Sequence, residues 1–176
     1  MKKYLLILSI LFLSAAGLIQ AQTNQKLGYV DSQVILTQWA EAIKAQGDLD
    51  ALTNKWSAQL DSMTQAYQQA ANDYQKQVNT MPEDKKLSSQ QRLVQMENDI
   101  MSFRKDKFAQ GTGEIYKKND EIFAPIKAKI YDAIGKVAKE ENMNFIFDKS
   151  GDIILLYADS AFDVTYKVLD KLKRGS

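Results

Sequence analysis

Apolar residues recur every three or four positions through two long runs of this chain, and a break containing proline separates the runs. The first run holds Leu49, Leu52, Trp56, Leu60, Met63, Tyr67, Ala70, Tyr74, Val78 and Met81. The second holds Leu93, Met96, Ile100, Phe103, Gly111 and Ile115, with Lys107 as a polar member. This narrow, sustained spacing is the seam of a coiled coil. It predicts helices over about 49–81 and 89–121. Between them stands Met81-Pro82-Glu83-Asp84-Lys85-Lys86. Pro82 pushes Met81 toward extended geometry and suits the first turn of a new helix. The simplest object is an antiparallel hairpin whose arms, at about 1.5 Å per residue, are roughly 50 Å long. So long and thin a structure encloses little volume and serves as a strut or as a surface for holding something.

Residues 1–21 read as a secretory signal peptide. Lys2 and Lys3 precede a nearly continuous apolar run from Tyr4 to Leu13, and Ser14-Ala15-Ala16-Gly17 leads to an expected cleavage after Ala21. The apolar run is shorter than the ~20 residues a membrane span requires. The remaining chain carries 21 basic and 22 acidic residues, a net charge of about −1. That balance gives no reason to expect nucleic acid as a partner. Cys and His are both absent. No disulfide can staple the exported chain, and no Cys-His or Ser-His pair or Cys/His zinc site can form. No catalytic residue, metal ligand or cofactor site stands out, and the reading is of a chain that is not an enzyme.

The two ends differ from the middle. Lys26 to Asp31 alternates like a short strand, and Asp31 or Ser32 can cap a helix with Val34, Ile35, Trp39 and Ile43 on one face. Gly47 interrupts that helix. From Ile122 the stripe Ile126, Ile130, Ala133, Ile134 and Val137 is wider and suits burial in a body. Asn144–Asp148 and Ile153–Tyr157 read as strands of a hairpin around Lys149-Ser150-Gly151-Asp152. Ser160 and Asp163 resemble a capping box for a last helix with Phe162, Tyr166, Leu169 and Leu172 inward. The expected class is α+β, mostly α. The helical hairpin of 49–121 is an arm, and 22–48 with 122–176 form a small β-containing body.

Three short strands make a marginal sheet, and one apolar on both faces leaves a hazardous edge. Pooling strands between copies removes both problems. The residues expected to do so are Leu27, Tyr29, Val30, Phe145, Ile146, Phe147, Ile153, Ile154, Leu155, Leu156 and Tyr157. A turn near 84–85 pairs Tyr67 with Phe103, Tyr74 with Met96, and Trp56 with Gly113. Gly111 and Gly113 would make room for the Trp56 indole and soften the arm. Gly47 and Pro125, at one level by the same pairing, would form a hinge at its base.

The order of these features resembles the Skp/OmpH family of periplasmic chaperones. The resemblance runs through the Gly28-Tyr29-Val30-Asp31 strand, Pro125-Ile126 and Lys129-Ile130, Val137-Ala138-Lys139, the Phe145-Ile146-Phe147-Asp148 strand, Tyr157, and Asp163-Val164-Thr165. It implies a homotrimer with a shared β-barrel body and three helical arms. Between the arms, unfolded outer-membrane proteins and other exported clients would be held without ATP or metal. Candidate client contacts are Gln68, Ala71, Met81, Leu87, Phe108 and Ile115. The best-known member is strongly basic toward its arm tips, whereas here Glu83 and Asp84 sit beside Lys85 and Lys86. Whether attraction to lipopolysaccharide or a membrane surface carries over is left open. The alternative reading is a structural or adaptor coiled coil of the periplasm.

Overall fold

The computed structural model describes residues 25–152 and 155–175. The expected signal peptide and the strand residues Ile153 and Ile154 lie outside them. The elements are β1 (Leu27–Val30), α1 (Ser32–Gln38), α2 (Ala40–Gln77), α3 (Glu83–Phe108), α4 (Glu114–Glu140), β2 (Phe145–Asp148), a single 3-10 turn (Ser160–Phe162) and α5 (Thr165–Lys173).

β1 pairs with β2 in parallel, Leu27 opposite Phe145 and Val30 opposite Asp148. A parallel pair cannot be joined by a tight turn and needs a long crossover. Here the crossover is the whole helical arm. On its other edge β1 meets the segment before α5: Tyr29 bridges Asp163, and the Val164 N–H donates to the Tyr29 carbonyl at 2.9 Å. β1 is therefore held on both sides, and among the described residues β2 is an edge. Gly28 leaves room for the Met143 thioether: a Cβ there would lie 2.3 Å from its sulfur and force that side chain to shift.

The strand expected after the Gly151 turn is not seen in its described residues. Leu155, Leu156 and Tyr157 adopt no strand, and Leu156 and Tyr157 are 95% and 85% exposed. β2 pairs with β1. Asp148 closes the turn: its carboxylate accepts from the Ser150 N–H and hydroxyl and from the Ser32 N–H. These bonds tie the end of β2 to the start of α1.

Asp31 caps α1, accepting from the Val34 N–H at 3.1 Å. The helix then breaks at Trp39, whose extended backbone separates α1 from α2. The expected single face is thereby re-aimed: Ile35, Trp39 and Ala42 are buried while Ile43 is half-exposed. Gly47 interrupts nothing, and α2 runs through it for 38 residues, about 57 Å.

The core lies in the body. Val30, Ile35, Trp39 and Ala42 pack with Ile126, Ile130, Ala133 and Val137 of α4, and with Val164, Val168, Leu169 and Leu172. Thr165 is the one buried polar residue among those described. Its hydroxyl accepts from the Asp31 N–H at 2.9 Å and donates to Asp163, so burial leaves it satisfied. Asp163 also takes the Thr165 N–H at the start of α5, while Asp159 caps the 3-10 turn. The expected box from Ser160 to Asp163 is displaced to these two aspartates. The inner face of α5 is consequently Thr165, Val168, Leu169 and Leu172, with Phe162 and Tyr166 facing out.

In the arm, α2 packs along α3 and then along α4. Pro82 starts α3 as expected, with ψ 149° ahead of Glu83. The second run is two helices rather than one. It breaks between Phe108 and Glu114, then α4 continues for 27 residues straight through Pro125.

Candidate functional site

The arm and the sheet edge are the two surfaces on which sequence reasoning placed functional residues. At the mid-arm, Trp56 is buried, at 7% exposure. Its ring meets the edge of Phe108 at 6.4 Å between centroids, nearly perpendicular. The Lys107 ammonium stands 5.0 Å from the indole centroid, a cation–π geometry. Lys107 also donates to Glu114, so one lysine bridges the end of α3 and the start of α4. Its ammonium holds the Glu114 carboxyl below the usual carboxylate range, against the opposing effect of burial.

The two glycines of the break have a cause different from the one expected. Gly111 sits at φ +73°, where side chains bearing a Cβ are strained. A Cβ on Gly113 would lie 2.6 Å from the Ala109 nitrogen and 2.8 Å from the Lys107 carbonyl. They permit the chain to fold back on the last turn of α3. The indole finds its room against Phe108 and Lys107.

The pairing along the arm is also offset. Tyr74 accepts a hydrogen bond from Gln90 at 2.8 Å, and Trp56 meets Phe108. Both pairs centre the turn near residue 82 rather than 84–85. Toward the tip, a groove of about 390 Å³ between α2 and α3 is lined by Ala70, Asp73, Tyr74, Met81, Arg92 and Leu93, among others.

Of the residues expected to touch clients, Gln68 and Leu87 are exposed. Ala71, Met81, Phe108 and Ile115 are half-buried, with Phe108 engaged by Trp56. They do not form one patch: they spread over α2, the tip, α3 and α4. Gly47 and Pro125 are both exposed, in α2 and α4. Sequence reasoning named Leu87 but missed Val94 and Met101, which continue its line on α3; the three are 58%, 57% and 54% exposed. Their signal was a spacing of seven outside the seam.

On the body, the sheet edge carries the residues expected to pool strands. Leu27 and Phe145 are about half exposed, Ile146 and Phe147 are half-buried, and Leu155 is half-buried beside exposed Leu156 and Tyr157. Val30 is taken up by the chain's own core, and Tyr29 is buried at 8%. A cavity of about 700 Å³ opens here, lined by Leu27, Tyr29, Phe147, Leu155, Tyr157 and Phe162, among others. Burial and the neighbouring Asp163 carboxylate push the Tyr29 hydroxyl up, so it stays protonated at neutral pH.

Among the described residues no cluster of His, Cys, Asp or Glu is placed to hold a metal, and no helix is long and apolar enough to cross a membrane.

The family model described as outer membrane protein (OmpH-like) matches residues 26–172, which takes in both strands, the arm and most of α5. The chain belongs to the OmpH-like family. A solved structure described as an OmpH-like outer membrane chaperone from Caulobacter crescentus has the same fold, with a TM-score of 0.72 over 85% of each chain and 13% identity. No curated protein matches the sequence. For a fold shared at so low an identity, the common element is architecture: a small sheet closed by a helical crossover.

Proposed function

We propose that this OmpH-like protein is an ATP-independent holdase of the periplasm, acting as a homotrimer that shelters unfolded outer-membrane and other exported proteins between its arms. The observation that carries the reading is the contrast within one chain. The body leaves an apolar sheet edge and a wide cavity uncovered around Leu27, Phe147, Leu155 and Tyr157, while the arm leads away with no buried hydrophobic side chain beyond Leu49 and Trp56. An open strand edge calls for pairing. Pairing β2 edges around an axis would set several arms about a common space. Family membership supports a chaperone.

Holding an unfolded chain requires weak, multiple and reversible contacts. The half-buried methionines and aromatics of the seam suit this, since such side chains adapt to varied partners. Gln68, Ala71, Met81, Leu87, Phe108 and Ile115 remain candidates. A hinge at Gly47 and Pro125 would let the arms splay: Pro125 cannot donate to the Glu121 carbonyl, so α4 is weakened there, and Gly47 weakens α2.

The test is suppression of aggregation. The mature chain, residues 22–176, is mixed at near-stoichiometric ratio with a urea-denatured outer-membrane β-barrel protein and no nucleotide. Light scattering should fall toward baseline. Scattering equal to that of the β-barrel protein alone overturns the reading and leaves a structural or adaptor coiled coil.

A further inference from the structure

Leu87, Val94 and Met101 follow one another at intervals of seven on α3, and each is more than half exposed. At 3.6 residues per turn they share one face. Leu93, Met96, Ile100 and Phe103 are half-buried, and helical spacing sets the stripe roughly 140° around α3 from them. Gln90, Gln91 and Asn98 border it, together with the charged Glu83, Glu97, Arg104 and Lys105, all exposed. α2 has no counterpart: from Asp48 to Gln77 it exposes no large apolar side chain, and its outward positions include Ala51, Ala58 and Ser62. The two sides of the arm are therefore chemically unlike.

We infer that the Leu87–Val94–Met101 stripe is the arm's contact rail for the apolar side chains of a non-native polypeptide, so that α3 rather than α2 faces the client. This rests on the holdase reading and adds to it the side and the residues. A second copy of the chain is a poor occupant. A two-stranded coiled coil needs two apolar positions per heptad, and this stripe offers one. Three aliphatic side chains at about 100 Å² each present roughly 300 Å², against the ~800 Å² per partner of a stable association. The stripe spans about 21 Å, its contacts ~10 Å apart, with no pocket to impose a sequence. Shallow, separated apolar contacts suit a chain held briefly and in many registers.

The test compares two triple variants of the mature chain. One is Leu87→Gln/Val94→Gln/Met101→Gln. The other, on the outward face of α2, is Ala51→Gln/Ala58→Gln/Ser62→Gln. Each is titrated against a urea-denatured outer-membrane β-barrel protein, with circular dichroism and solution mass recorded. The α3 variant should raise the concentration needed for half-maximal suppression of aggregation about tenfold, with helicity and mass unchanged, and the α2 variant less than twofold. Equal effects of the two variants overturn the rail. So does loss of assembly mass in the α3 variant alone, which would make the stripe a contact between copies. If the unsubstituted chain itself fails to suppress aggregation, the holdase reading falls and the rail falls with it.

Discussion

The body and the arm of this molecule are built on opposite terms. In the body, Ile35, Ala133 and Val168 have no exposed surface, and Val30, Val137 and Val164 have almost none. In the arm, α3 buries no residue at all, and α2 past Leu49 buries only Trp56. Interiors packed as tightly as the body resist change, because each lost methylene leaves a cavity. A seam of half-buried side chains has no such lock. The body can hold a fixed frame while the arm adjusts, which is what a protein that grips irregular partners requires.

That difference can be broken first in the body. Ile35→Ala should cost about 4 kcal/mol and lower the urea midpoint of the whole chain. Trp56→Ala should cost about 3 kcal/mol, but its effect should be local. Amide exchange should rise in α2, α3 and the start of α4, and stay slow in the body. A uniform rise would mean that arm and body unfold as one unit. Next comes Gly113→Ala, where the added carbon must displace the backbone of Ala109; overpacking of this kind costs roughly 1–3 kcal/mol. It should straighten or fray the α3–α4 junction, seen as altered fluorescence from Trp56 in a Trp39→Phe background.

The smallest effect is electrostatic. Glu114 has its pKa lowered in the folded protein by the hydrogen bond from Lys107. A carboxylate held down in this way stabilises the fold at neutral pH, and its contribution fades as pH falls below the ordinary carboxylate range toward the folded value. Glu114→Gln should flatten the acid-side change in Trp56 fluorescence. An unchanged profile would place that titration elsewhere.

Much of the architecture is legible in the sequence, for physical reasons. The seam and Pro82 announce the hairpin because helical spacing and the missing proline N–H act locally. The α4 stripe of Ile126, Ile130, Ala133 and Val137 is read the same way. The parallel pairing of β1 with β2 is not, since Ile153–Tyr157 offers an equally apolar and nearer partner for β2. Nor is the end of β2, where the Asp148 carboxylate accepts from the Ser150 and Ser32 N–H groups. The break at Phe108–Glu114 is half-legible. Gly111 and Gly113 mark weakness, but whether a helix bends or ends depends on the backbone contacts of Ala109. Trp39, an apolar residue in an apolar stripe, gives no local warning that it will end α1. The α3 stripe shows how a seam can hide a second pattern of the same period.

The central claim is that open sheet edges gather several copies and their arms then hold an unfolded chain. Its most direct test is the solution mass of residues 22–176, measured alone and with a urea-denatured outer-membrane β-barrel protein. The expected result is a mass of three chains alone, and of those chains plus the client in the mixture. A single-chain mass that does not change when the client is added would contradict it.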